Sequence, residues 1–232
     1  MPKVSIIIPV FNEKNTILEI LNKVETVDLG EINKEIIIVD DFSTDGTREI
    51  LNGLENKYLI FYQDKNYGKG AAMRRGYELA SGDYIISQDA DLEYDPQDYQ
   101  ALLEPFLKGK ADVVYGSRLM TGKPHRVFFI WHYLANRFLT TLSNLLTTLT
   151  LTDMETGYKM FRREAIKAIL PKLTANRFGI EPELTAYVGK GKYIVFEVGI
   201  SYYGRSYAEG KKINWRDGLA AICHIIRFNL FR

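Results

Sequence analysis

Val4-Ser5-Ile6-Ile7-Ile8-Pro9-Val10-Phe11-Asn12-Glu13 opens the chain's decisive pattern. Residues 4–8 suit a strand buried on both faces, and a helix pattern over 16–27 follows. There Ile17, Ile20, Leu21 and Val24 fall at i, i+3, i+4 and i+7, one apolar stripe facing a sheet. Outward from this unit the alternation repeats. Apolar, β-branched or aromatic runs at 35–39, 58–62, 84–87 and 113–115 read as buried strands, and 47–54, 71–80 and 98–107 read as helices between them. Asp45 is placed to cap one helix and Pro96 to start the first turn of another. Strand–helix alternation with short links predicts an α/β fold: a doubly wound, mostly parallel sheet with helices on both faces.

Beyond residue 116 the pattern changes. Residues 127–151 are apolar and aromatic but interrupted by His132, Asn136, Arg137 and Asn144, which predicts one or two amphipathic helices rather than a membrane span. A helix around 183–188, a strand over 193–200 and a closing amphipathic helix over 215–231 complete a single domain, 1–232, without repeats or a linker. The 232 residues are 46% hydrophobic and 25% charged, which excludes disorder, collagen and a coiled coil. A single cysteine, Cys223, excludes an internal disulfide and fits a reducing compartment. The N-terminus lacks the pattern of a signal peptide. Net charge is +1, yet unevenly spread: residues 1–112 hold 12 Lys+Arg against 21 Asp+Glu, and 113–232 hold 18 against 8. Between 113 and 152 there is no acid, while Arg118, Lys123, Arg126 and Arg137 are present. The second half is suited to an anionic partner, or its basic face is simply solvated.

In open α/β sheets ligands bind beyond the carboxyl ends of the strands. Those ends carry Glu13, then Asp40-Asp41, then Asp89-Ala90-Asp91-Leu92-Glu93. Helix capping accounts for Asp45 but poorly for Asp40. In extended backbone Asp89, Asp91 and Glu93 would point one way and converge on a hard cation, Mg2+ or Mn2+, rather than zinc. Competing motifs fail. Gly68-Lys69-Gly70 lacks the next glycine of a dinucleotide fingerprint, no phosphate-binding P-loop or nucleophile elbow occurs, and three histidines form no zinc pattern.

Taken together, these segments resemble family 2 glycosyltransferases of the inverting, nucleotide-sugar (GT-A) type, and within them the dolichyl-phosphate mannose or glucose synthases. The resemblance is carried, in order, by residues 4–13, 38–47 and 66–72, by Asp89-Ala90-Asp91-Leu92, by Tyr115-Gly116-Ser117-Arg118, and by residues 153–159 and 205–212. It implies a GT-A fold in which 1–116 bind the nucleotide sugar and 117–232 the acceptor. Pro9, Phe11, Glu13, Asp40, Lys69, Asp89 and Ala90 would bind the nucleotide, with Asp40 on the base. Asp91, assisted by Asp89 and Glu93, would hold Mg2+ or Mn2+. Arg118, Arg205 and Lys211 would surround the diphosphate and the acceptor phosphate, acting with Asp91 in catalysis. Arg118, Arg126, His132 and Asn136 would line the acceptor site. The chain departs from the pattern at Glu93, where some relatives carry Gln, and at His132 and Asn136, where mannose synthases carry Arg and Ser. Ending at Arg232, it resembles the members without transmembrane helices.

The implied reaction moves a hexose from a nucleotide diphospho-sugar to a polyprenyl (dolichyl) phosphate. A phosphate monoester has a second pKa of about 6, so it is a ready nucleophile and needs no protein base. The expected partners are the donor, the lipid phosphate, a membrane surface met peripherally at the cytoplasmic face, and a membrane-protein subunit, but no nucleic acid. The segments 127–151 and 215–232 would lie in the membrane interface, or else only cover the sheet. Residues 66–70 with Arg74 look like UDP-glucose members, while the mannose synthases suggest GDP-mannose. Two alternatives stay open. A soluble transferase acting on a glycan or protein hydroxyl would use Glu155 or Asp153 as general base, and a non-enzymatic sugar-nucleotide sensor would keep the fold without turnover.

Overall fold

The computed structural model describes residues 1–120, 122–127, 129–205 and 215–231, with side chains from 217 onward in the last stretch. Seven strands form one sheet: β1 (Lys3–Val10), β2 (Asn33–Asp40), β3 (Leu59–Tyr62), β4 (Tyr84–Ser87), β5 (Val113–Ser117), β6 (Lys159–Arg162) and β7 (Val195–Gly199). Their order is β3-β2-β1-β4-β6-β5-β7. All pairings are parallel except those of β6, which runs antiparallel to both β4 and β5. The helices are α1 (Ile17–Thr26), α2 (Thr47–Asn52), α3 (Lys69–Leu79), α4 (Tyr99–Leu107), α5 (Ile130–Thr147), α6 (Arg163–Ile169), α7 (Ile180–Gly191) and α8 (Trp215–Leu230).

Side chains alternate across β1, so Ile7 joins one core and Ile6 and Ile8 the other. The first core is closed by α3, α6, α7 and α8 through Met73, Ile166, Leu184 and Phe228. The second is closed by α1, α2 and α4 through Ile20, Leu51 and Leu102. Both faces of the sheet are therefore dry, as the apolar runs require. Chain progression reverses between β1 and β4, so the crevice at their carboxyl ends is the switch point. The register Val10↔Asp40 and Ile7↔Ser87 brings the acid-bearing loops to that one edge.

The expected strands and helices are present with ends shifted by a few residues, and 127–151 resolves into one helix, α5. Asp45, expected as the N-cap of α2, stands one residue before it: Gly46 is the N-cap, and Asp45 accepts the Thr47 N–H at 3.0 Å and its hydroxyl at 2.5 Å. Two elements were not anticipated, β6 and α6. The polarity of α5 is also unusual. Thr140, Ser143 and Thr147 face the body with Leu139, Leu142 and Leu146, while Trp131, Leu134, Phe138 and Leu145, spaced along one side, are 75%, 47%, 58% and 75% exposed. An amphipathic helix in water normally presents the opposite faces.

Candidate active site

The loops after β1 and β2 are laced together. Ser43 Oγ accepts the Asn12 N–H at 2.9 Å, Asn12 Oδ1 accepts the Thr44 N–H at 2.8 Å, and Thr47 Oγ1 accepts the Glu13 N–H at 3.0 Å. Buried Glu13 accepts the Thr16 hydroxyl at 2.8 Å and faces the Arg205 guanidinium at 3.5 Å. At the end of β1, Phe11 is 37% exposed and Pro9 half-buried.

Asp40 does not meet the crevice as the base contact expected of it. It is fully buried, its Oδ2 takes Arg48 Nε at 2.6 Å, and the Ser43 N–H approaches both oxygens. Arg48 in turn stacks over Phe42 and Tyr62. Asp41, raised by burial, holds the loop after β3 by accepting the Tyr67 and Gly68 N–H groups at 2.8 and 2.7 Å. That loop needs glycine. Gly68 has φ +101°, and a Cβ there would stand 2.5 Å from the Asn176 carbonyl. The same carbonyl accepts the Ala71 N–H at 3.1 Å, so backbone occupies the start of α3.

Lys69, anticipated on the nucleotide, lies between Asp89 (2.7 and 2.8 Å) and Glu181 (3.4 Å). Burial works against its charge, but the two carboxylates outweigh it and raise its pKa. Glu181 also pairs with Lys159, which is fully buried in β6 and donates to the Thr156 carbonyl at 2.5 Å.

The acidic motif after β4 is a turn, not extended backbone, which corrects the alternation expected of Asp89, Asp91 and Glu93. Leu92 is left-handed (φ +65°), and Asp91 Oδ1 accepts the Glu93 N–H at 3.1 Å. Glu93 accepts the Tyr202 hydroxyl at 2.5 Å and the Arg205 N–H at 2.7 Å, while the Arg205 guanidinium donates to the Asp91 carbonyl. Ala90 is buried beneath the turn. Asp91 is pushed up to about 7, first by burial and then by the like charges of Asp89 and Glu93. Among the described residues no three acidic, imidazole or thiol side chains gather as a ready metal cage. A hard divalent cation nevertheless fits the donor set: it is oxygen-only, and its central carboxylate is crowded by like charges that a cation would relieve. Asp91, Glu13, Lys14, Asp45, Arg126 and Arg205 border a groove of about 500 Å³.

Beyond β5, Arg118 closes on Asp153 with Nε and Nη2 contacts of 2.7 and 2.8 Å. Burial opposes both charges, yet Asp153 raises the guanidinium and Arg118 lowers the carboxyl. Asn136 donates to the same carboxylate at 2.9 Å, tying α5 to this pair. Arg118 and Asn136, expected to line the acceptor site, both have polar atoms engaged by Asp153. Arg126 lies in an exposed loop zipped to Tyr202 and Gly204 at 2.8 Å each. His132 sits in the first turn of α5, edge-on to Phe129. Lys211 and the rest of the 206–212 motif lie outside the described residues. The sequence reading missed the Lys159–Glu181–Lys69–Asp89 chain. Its visible signal was a lysine next to an apolar run, Lys159-Met160-Phe161.

Residues 5–170 match the family model of glycosyl transferase family 2. A dolichol-phosphate mannosyltransferase of Pyrococcus furiosus is 30% identical over 220 residues, covering 91% of this chain and 60% of that protein, so the chain spans three-fifths of that relative's length. A UDP-N-acetylglucosamine–dolichyl-phosphate N-acetylglucosaminyltransferase of Methanococcus voltae is 26% identical, covering 97% and 95%. In fold, the chain is similar to glucosyl-3-phosphoglycerate synthase of Mycobacterium tuberculosis, solved with Mn2+, UDP and phosphoglyceric acid. The TM-score is 0.72 at 17% identity, over all of this chain and 80% of the other. The same synthase has also been solved with Mg2+ and UDP (TM-score 0.71, 18% identity, 98% and 79% covered).

Proposed function

On the premise that the chain belongs to glycosyl transferase family 2 and is a glycosyltransferase, we propose that it moves a hexose from a nucleotide diphospho-sugar to a polyprenyl phosphate, with inversion, at a membrane surface. The observation that carries the acceptor class is the exposed apolar stripe of α5. The helix that contributes Asn136 to the Arg118–Asp153 pair turns Trp131, Leu134, Phe138 and Leu145 outward, so the acceptor side of the site has an apolar lip. A water-soluble acceptor has no use for such a lip, whereas a lipid phosphate brings its chain past it. Two relatives named for dolichyl-phosphate acceptors support the same class.

The chemistry follows from charge. An acceptor phosphate is largely dianionic near neutral pH, so one of its oxygens attacks the anomeric carbon directly while the bond to the nucleoside diphosphate breaks on the opposite face. The protein's work is to orient the two anions and stabilise the departing one. Arg205 is positioned for this, held by Glu93 and the Asp91 carbonyl at the groove's edge, and Arg126 and Lys14 face the same groove. Asp91 would hold Mg2+ or Mn2+, which would supply positive charge for the diphosphate, while Asp89 is already engaged by Lys69. The proposed location is peripheral, on the cytoplasmic leaflet, whose anionic lipids suit the basic second half. Among the described residues no helix is long and apolar enough to cross a membrane.

The test is incubation with radiolabelled GDP-mannose or UDP-hexoses and a short polyprenyl phosphate. Label passing into organic solvent as a phosphodiester-linked sugar is the expected outcome. Label found only on a glycan or protein hydroxyl overturns the proposal.

A further inference from the structure

The reaction as proposed gives no part to Glu155, although it stands in the loop joining the acceptor-side Asp153 to Gly157, where an added Cβ would lie 2.7 Å from Asp89 Oδ2. Its Oε1 is buried, with no hydrogen-bond partner among the described residues. The charges around it are already matched. Arg118, after β5, is closed on Asp153. Lys159, in β6, is closed on Glu181 of α7. Behind them Lys69 of α3 spans Asp89 and Glu181. Among the described residues Arg118, Lys159 and Lys69 thus face the carboxylates of Asp153, Glu181 and Asp89; Glu197 is held by the Thr152 and Asp153 N–H groups, and Glu155 is a further acid outside these pairs.

Glu155 is half-buried with Oε1 fully so, and once ionised it would compete with Asp153 for Arg118 and with Glu181 for Lys159, weakening the compensation of those buried carboxylates. We infer that Glu155 works as a neutral carboxylic acid, a positioning residue whose proton keeps both neighbouring ion pairs closed and whose ionisation loosens the acceptor side. The link to the acceptor is direct: Asp153 Oδ1 takes both Arg118 and Asn136, so loosening that pair also releases α5. The proton is available at neutral pH. Burial drives Glu155 up to about 7; Lys159 and Arg118 pull it down, and Glu181 and Asp153 push it up. The inference rests on the phosphate-acceptor reading only in that the acceptor supplies its own nucleophile.

The test compares kcat/KM for a short-chain polyprenyl phosphate in wild type and Glu155→Gln between pH 6 and 8.5. The amide is a permanently neutral mimic, so near pH 6 the variant should match wild type. Above pH 7 the variant-to-wild-type ratio should climb about tenfold per pH unit, as the neutral fraction of Glu155 falls. A merely structural role would leave that ratio flat, and a flat ratio overturns the inference. So does a loss of about a thousandfold at every pH with donor affinity kept, which marks a general base. Should Glu155→Gln not fold, the protonated-carboxyl infrared band of the wild type, followed in an Asp91→Asn background, still decides. A band titrating near neutrality upholds the inference, and its absence overturns it. The product made by the wild type judges the acceptor reading separately, because failure to label a polyprenyl phosphate leaves the infrared result standing.

Discussion

The outward stripe of α5 makes a quantitative prediction. Replacing Leu134 and Phe138 together by Asp should detach the protein from lipid without unfolding it. Fully burying a Leu or Phe side chain stabilises by about 1.5–3 kcal/mol. These two are 47% and 58% exposed, so about half of that is available to a bilayer from each, roughly 1.5–3 kcal/mol for the pair. At about 1.4 kcal/mol per tenfold, vesicle partitioning should fall by about ten- to a hundredfold, before counting the cost of placing two carboxylates in the interface. The fold should be nearly indifferent, because exposed substitutions usually change stability by within about 0.5 kcal/mol. The assay is co-sedimentation with vesicles of mixed neutral and anionic phospholipid, with thermal melting as the control for folding. Added salt should weaken binding, since Lys123, Arg126 and Arg137 each contribute on the order of 1 kcal/mol near an anionic surface. Transfer to a short, water-soluble acceptor should persist in the variant. Wild-type binding that the double substitution leaves unchanged would refute the reasoning. So would a wild-type dimer that the same changes dissociate, because the stripe would then be a protein interface.

Three further outcomes are expected. Asp91→Ala should abolish metal-dependent transfer while leaving the melting temperature close to wild type, and wild-type turnover in excess EDTA would remove the metal assignment. Glu35 is lowered to about 2: burial opposes its charge, but hydrogen bonds from Ser5, Ser81 and Lys3 prevail. A depressed carboxyl stabilises the fold above pH about 4.5 and loses that contribution as pH falls through about 2, at most about 3 kcal/mol here. Urea midpoints of wild type and Glu35→Gln should therefore differ at pH 6 and converge near pH 2. Gly68→Ala combines a positive φ with a 2.5 Å approach to the Asn176 carbonyl; it should cost at least about 1 kcal/mol and weaken donor binding, both measurable by denaturation and nucleotide titration.

The parallel half of the sheet was legible because its strands are buried on both faces and so spell continuous apolar runs, as residues 4–8 do. The antiparallel strand β6 was not. Four residues long, it carries Lys159 and Arg162, and Lys159 is tolerated inside only because Glu181, 22 residues away on α7, answers it. A partner brought by tertiary folding leaves no mark on local periodicity. The same holds for α5. Its pattern announced an amphipathic helix but not which face would meet the protein. Here Thr147, bonding to the Ser143 carbonyl at 2.8 Å, and Thr140, bonding to Asn136 Oδ1 at 3.1 Å, are satisfied within the helix and so can pack inward.

The acids at the strand ends show where such reading stops. Position alone put Asp40, Asp89, Asp91 and Glu93 at the ligand edge, and they are there. Whether each is available depends on cations and donors that come from elsewhere in the chain. Arg48 consumes Asp40, Lys69 holds Asp89, and Tyr202 and the Arg205 backbone hold Glu93. Asp91 is left crowded by like charges, as Glu155 is left outside its neighbours' pairs. A carboxyl already matched gains little from an arriving cation, phosphate or proton, whereas an unmatched one changes state when any of them arrives. The groups that respond to substrate are therefore those left over after the folded protein has paired its charges, and only the three-dimensional pairing identifies them.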